Sequence, residues 1–244
     1  MNLLSKLQTV DILAIGVHPD DVELSCSGTL LAHIKRGYSV GLLDLTLGEL
    51  GTRGNAALRT EEAMQAAEKL GASFRIQLDL PDGFFEWSYS EIIKIISVVR
   101  EAKPKLVFAN ALSDRHPDHG RAAKLTADAL FYSGLQKIVT LDSNGESQIR
   151  WRPEKLLHYI QDHQLKADIV FDITDYMDQK IEIIKCFKSQ FYDPNSKELN
   201  SPISGEDFFE FLKAKAKIYG RSIQVRYAEG FNTTGPYEVK DLMH

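Results

Sequence analysis

Apolar and polar positions along the chain follow two alternating periods. Short runs rich in β-branched and aliphatic residues recur at Val10 to Val17, Ser39 to Thr46, Phe74 to Leu78, Lys105 to Asn110, Lys155 to Ile160 and Asp168 to Ile173. Such near-continuous apolar runs are the pattern of strands covered on both faces. Between them the period lengthens to that of helices. From Asp21 onward, Val22, Leu24, Leu30, Leu31 and Ile34 share one face until Gly37 supplies a stop. Leu58 to Gly71 turns Ala63, Met64, Ala67 and Leu70 inward and Glu61, Glu62 and Glu68 outward, while Ser90 to Glu101 buries Ile92, Ile93, Ile95, Ile96, Val98 and Val99. Ala122 to Leu130 and Asp175 to Phe187 continue the series. Phe208 to Tyr219 reads as a basic amphipathic helix with Lys213, Lys215 and Lys217 on a solvated face. Val225 to Gly230 reads as a short strand, and Phe231 to Asp241 as a tail packed against a neighbouring subunit.

Strand and helix in alternation predict a Rossmann-like α/β fold, a mostly parallel sheet with helices on both faces and right-handed crossovers. No composition break, repeat or low-complexity tract divides the chain, so residues 1–244 are expected to form a single domain.

Two polar clusters interrupt the pattern at equivalent places. His18-Pro19-Asp20-Asp21 closes the first strand and opens the first helix, because Pro19 has no N–H and disfavours helical geometry in His18. Ser113-Asp114-Arg115-His116-Pro117-Asp118-His119-Gly120 stands in the same relation to Lys105 to Asn110 and the helix after it. Both lie at carboxyl ends of strands, where open α/β sheets place ligands, with a first-turn carboxylate favoured by the helix dipole. An Asp at a helix start is ordinarily an N-cap, and one His-Pro-Asp by itself would mean little. Two at successive strand ends point to one shared site. His18, Asp21 and one histidine of the second cluster would hold a metal, leaving Asp20 free as a base. Three protein ligands with an open position are the catalytic pattern for zinc, which brings the pKa of its bound water to about 7.

Charge narrows the function classes. Lys plus Arg number 29 against 34 Asp plus Glu, a net charge of −5, which removes any generic affinity for nucleic acid. No run approaches the roughly 20 apolar residues of a membrane span. Met1 to Thr9 is too short an apolar run for a secretion signal, so a cytoplasmic protein is expected. Cys26 and Cys186 match no metal or redox spacing and read as reduced thiols buried in helices.

His18-Pro19-Asp20-Asp21, Gly48-Glu49-Leu50-Gly51-Thr52-Arg53-Gly54 and His116-Pro117-Asp118-His119 resemble the motifs of the LmbE-like (PIG-L) family of zinc-dependent N-acetylglucosamine deacetylases. The resemblance reaches the late stretch Val225 to Phe231. Within the family the chain is most similar to the bacillithiol-pathway enzymes that deacetylate N-acetylglucosaminyl-malate. The resemblance implies one zinc per chain, with iron(II) as an alternative, held by His18, Asp21 and His119. It implies Asp20 as general base, His116 as acid or oxyanion stabiliser, and Asp118 as the group orienting His116. It also implies an acetylated glucosaminide as the small-molecule partner and a homo-oligomer. Candidate substrate contacts are Glu49 and Arg53 in the glycine-rich loop, Asp82 in the turn Leu80-Pro81-Asp82-Gly83, and Tyr192. Malate carries two carboxylates and would call for cations, for which Arg53, Arg115 and Arg152 are candidates, Arg115 foremost beside His116. One departure from many relatives is Ser27 in Cys26-Ser27-Gly28-Thr29, where they carry a second glycine. Of the remaining histidines, His158 reads as packed in its strand, His163 as a loop residue, and His33 and His244 as exposed.

Three classes of function stay open on these residues: a deacetylase of an N-acetylglucosamine conjugate, a two-metal phosphoesterase, and a non-catalytic sugar- or nucleotide-binding α/β protein. They differ in metal content, at one, two and zero equivalents.

Overall fold

The computed structural model describes residues 6–142, 144–192 and 194–238. Its seven strands are β1 (Ile12–Gly16), β2 (Val40–Asp44), β3 (Phe74–Gln77), β4 (Leu106–Ala109), β5 (Lys155–Tyr159), β6 (Ile169–Asp172) and β7 (Ala228–Asn232). They form one sheet in the order β3-β2-β1-β4-β5-β7-β6. Strands β1 to β5 pair in parallel, as expected of a Rossmann-like sheet. Among the described residues six α-helices surround it: α1 (Asp21–Lys35), α2 (Ala56–Leu70), α3 (Tyr89–Ala102), α4 (Pro117–Ser133), α5 (Met177–Ile184) and α6 (Phe208–Ser222).

Both faces are covered, and the side-chain alternation of β1 shows how. Ile12 and Ala14 pack with Val22, Cys26 and Leu30 of α1 and with α2, α5 and α6. Leu13 and Ile15 point the other way, onto Ile95, Val99, Ala122 and Leu125 of α3 and α4. Each fully buried aliphatic side chain contributes about 1.5–3 kcal/mol relative to exposure, so a polar substitution on either face of β1 opens the core. Beneath the site, Arg75 of β3 is fully buried between Asp44 of β2, at 2.7 and 2.8 Å, and Glu23 of α1, at 2.5 Å. This charged cluster fixes the start of α1 against the sheet.

Several expectations need correction. The last strand runs from Ala228 to Asn232 rather than ending at Gly230, and it enters the sheet between β5 and β6, antiparallel to both. Phe231 therefore belongs to the core, and the end of the expected tail, 239–241, lies outside the described residues, as does His244. Glu229 of β7 explains the insertion. Its carboxylate accepts the backbone N–H groups of Gly28 and Thr29 and the Thr29 hydroxyl, and pairs with Lys180 at 2.6 Å. Ser27 is accommodated by donating to Glu23 O at 2.7 Å.

Helix α4 begins at Pro117 rather than near Ala122, since proline suits a first helical position, and this brings His119 into the first turn. Glu62 is buried, not outward; its carboxylate accepts the Ser189 N–H and hydroxyl, both at 2.7 Å. His33 is half-buried against Phe171, with Nδ1 at 2.7 Å from Thr29 O. Cys26 is a buried free thiol, while free Cys186 is only half-buried, just beyond α5. No helix among the described residues is long and apolar enough to cross a membrane.

Candidate active site

Winding reverses between β1 and β4: from β1 the chain steps outward to β2 and β3, then returns to lay β4 on the other side. Ligand crevices form at such switch points, outside the carboxyl ends of the strands. There the loops after β1, β2, β3, β4 and β5 bring His18 to Asp21, Gly48 to Gly54, Asp82, Asn110 to His119, and Gln161 around one crevice.

Asp21 lies at its centre, 4% exposed. One carboxylate oxygen accepts the His18 N–H and Asn110 Nδ2, each at 2.9 Å. The other accepts Gln161 Nε2 at 2.9 Å and stands 3.2 Å from His119 Nε2. His18 Nδ1 is 3.8 Å from Asp21. The far nitrogen of each imidazole meets a carboxylate: His119 Nδ1 is 2.5 Å from Asp114, and His18 Nε2 is 2.9 Å from Asp82 and 3.4 Å from Asp118. Metal-ligating histidines are held in this way, the outer carboxylate fixing the tautomer and orienting the lone pair of the inner nitrogen. His18 Nδ1, an Asp21 oxygen and His119 Nε2 have the chemistry of zinc donors, and among the described residues the sets whose donor atoms all lie within 4.8 Å of one another are His18 with His116 and His119, and His18 with Asp82 and Asp118.

The charges agree. Burial opposes the His18 imidazolium, yet Asp118, Asp82 and Asp21 overcome it and hold its pKa up at about 10. Burial also opposes His119, which Asp21 and Asp114 raise to about 9. Burial would raise Asp21, but the two histidines hold its carboxyl far below the usual range. The crevice retains positive charge strongly, and metal binding there would displace protons.

Asp20 occupies the N-cap position of α1 but makes no capping hydrogen bond with its side chain. That disposes of the ordinary structural role. Its backbone has φ 122°, in a region that costs of order 1–3 kcal/mol for a residue other than glycine. Arg59 of α2 braces it, donating to Pro19 O at 2.8 Å, to the Asp20 carboxylate at 3.2 Å and to Gly48 O at 3.0 Å. Burial pushes the Asp20 carboxyl up to about 7, against the pull of Arg59.

His116 lies over the same crevice, its ring 4.8 Å from His18 and stacked at 5.1 Å on His119. Its Nδ1 accepts the Asp118 N–H at 3.3 Å, so the neutral ring carries its hydrogen on Nε2. Burial, then the two neighbouring histidines, lower its pKa, favouring that neutral form. The expected orienting role of Asp118 takes another form here. Its carboxylate turns to His18, Gly83 N and Arg121, and no hydrogen bond joins it to the His116 side chain.

The remaining candidates separate. Asp82 is buried in the crevice, holding His18 and accepting Leu50 N at 2.9 Å. Exposed Glu49 accepts Asp82 N at 2.8 Å. Arg53 is buried, with Nη1 donating to Phe191 O at 3.0 Å, so its guanidinium pins the segment after α5. Arg115 stands at the rim, paired to Asp162 at 2.5 Å. Tyr192 is 47% exposed and does not line the recess beside Asp21 and His119. Arg152 is remote from the crevice, stacked on Phe131. His158 is packed, bonding Asn110 O at 2.8 Å, and His163 is an exposed loop residue.

Residues that sequence reasoning missed include Asp114, Asn110, Gln161 and Arg59. A polar residue closing an apolar strand was a readable signal for Asn110 and Gln161. Nothing local marks Arg59.

The family described as PIG-L, GlcNAc-PI de-N-acetylase, matches residues 13–130. The conserved protein TT1542 from Thermus thermophilus is similar in structure, with a TM-score of 0.83 and 31% identity, covering 96% of this chain and 99% of that one. The 4-oxalmesaconate hydratase of Pseudomonas putida is 27% identical over 203 residues, 73% of each chain. The probable N-acetyl-alpha-D-glucosaminyl L-malate deacetylase 2 of Bacillus anthracis is 26% identical over 198 residues, 74% of this chain and 81% of the relative. With both histidine motifs inside the matched span and the whole sheet shared with a relative above 30% identity, the chain belongs to the PIG-L family of de-N-acetylases.

Proposed function

We propose that the protein removes the acetyl group from an N-acetylglucosamine conjugate, N-acetylglucosaminyl-L-malate foremost, with one zinc ion held by His18, Asp21 and His119. The name of the Bacillus anthracis relative supports the malate branch. The observation that carries the reaction is Asp20: a buried carboxylate next to Asp21, withheld from helix capping and braced by Arg59. A divalent ion held by His18, Asp21 and His119 would supply Lewis acidity toward the amide carbonyl and water. Asp20 accepts the proton of the attacking water and passes it to the leaving amine, a role worth about 10²–10⁴-fold. His116, with hydrogen on Nε2, donates to the oxyanion that develops on the carbonyl oxygen. Asp114 and Asp82 hold the two ligand imidazoles in place. Cytoplasmic residence and assembly into a homo-oligomer are part of the proposal.

A hydratase is the second reading, favoured by the Pseudomonas putida relative. The same base could activate water for addition to a carbon–carbon double bond. Zinc-loaded protein incubated with N-acetylglucosaminyl-malate, assayed for primary amine, and separately with 4-oxalmesaconate, assayed by ultraviolet absorbance, decides between them. Amine release with unchanged absorbance supports the deacetylase; the reverse overturns it.

A further inference from the structure

Beside the metal donors a recess extends from Asp21 and His119 to helix α6. Seven acidic, basic or histidine side chains line it, and six of them pair off. His119 faces Asp21 at 3.2 Å, Arg115 faces Asp162 at 2.5 Å, and Lys180 faces Glu229 at 2.6 Å. Lys215 is left over. Among the described residues its ammonium finds only the Ile160 carbonyl, at 3.3 Å, and no carboxylate within ion-pair distance.

Its place on α6 makes this unusual. Phe208, Leu212, Lys215 and Tyr219 stand at helical spacings of four, three and four, so Lys215 occupies a position in the apolar stripe. Lys217 is exposed, as a solvated basic face requires; Lys213 and Lys215 are both half-buried, and of the three only Lys215 lines the recess. Burial lowers its pKa to about 8, with Lys180 adding to the effect and Asp114 and Asp162 opposing it. Those two carboxylates are already bound to His119 and Arg115. A leucine would pack in this stripe at less cost, and an ammonium with three donors, one of them used, is suited to an incoming acceptor.

Resting on the deacetylase reading, we infer that Lys215 is a specificity residue that binds a carboxylate on the aglycone of the substrate, with the acetamide at the metal donors and the aglycone under α6. Arg115 at the rim, its Nε on Asp162, is the second cation within reach of such a group. A charge-assisted bond favours a carboxylate there over a neutral hydroxyl.

The test compares N-acetylglucosaminyl-malate with methyl N-acetylglucosaminide on zinc-loaded wild type, Lys215→Met and Lys215→Arg. The ratio of kcat/KM for the two glycosides should fall about 10–100-fold in Lys215→Met, through KM, and return toward wild type in Lys215→Arg. Amine release with an unchanged ratio overturns the role of Lys215 and leaves the deacetylase reading standing. Calorimetric binding of the malate glycoside covers the case in which neither compound is hydrolysed. Binding at least tenfold weaker in Lys215→Met then supports the anion site while the deacetylase reading fails. Equal binding, or none, overturns the inference.

Discussion

Arg59→Met removes the brace behind Asp20 while keeping an unbranched side chain in the same space. Arg59 is 4% exposed and donates to two buried carbonyls and one buried carboxylate, so the loss leaves three acceptors and an uncompensated charge. Breaking one side of a buried ion pair costs about 3–5 kcal/mol. At about 2–4 °C per kcal/mol for a chain of this size, Tm should drop by roughly 6–20 °C. Catalysis should suffer independently of stability. The Arg59 cation opposes the burial that raises the Asp20 carboxyl, so without it the pKa rises further. A base works only when deprotonated, so the acid limb of the kcat profile moves to higher pH, and each unit of movement costs about tenfold at any pH below both values. The assay is amine release from pH 5 to 10, well below the variant's Tm, with Arg59→Lys recovering part of the shift through its charge. A variant with the wild-type profile and kcat would refute the coupling of Arg59 to Asp20.

Asp20→Asn should keep its metal, measured by elemental analysis, and lose about 10²–10⁴-fold in kcat; near-normal turnover would remove Asp20 from proton transfer. Asp114→Asn should weaken zinc binding about 10–100-fold in a chelator competition, because the charged acceptor on His119 Nδ1 becomes a neutral amide. Glu229→Gln should lower the unfolding free energy from denaturant titration by about 3–5 kcal/mol, since Lys180 loses its buried charge partner, with the metal donors unaffected.

The core strands and both histidine motifs were legible for a physical reason. Strands β1, β2 and β4 are buried on both faces, so their composition alone marks them, and His18 to Asp21 and His116 to His119 each act within four residues of sequence. Partners across the fold carry no such mark. Arg59 reaches Asp20 over 39 residues, Asn110 reaches Asp21 over 89, and Gln161 reaches Asp21 over 140. Asp114 gains meaning only when α4 starts at Pro117 and turns the His119 ring toward it. Glu62 shows the limit of helical periodicity, which sorts apolar from polar but does not foresee a buried carboxylate matched by Ser189. Strand β7 escaped because its place in the sheet depends on Glu229 meeting α1 from 200 residues away.

The central claim is that two loops separated by a whole crossover hold one ion between His18, Asp21 and His119. Zinc content of purified wild type and His119→Ala, after saturation and removal of free metal, tests it most directly. One equivalent per chain in the wild type and almost none in the variant is the expected result. Zero or two equivalents in the wild type, or full occupancy in His119→Ala, would contradict it.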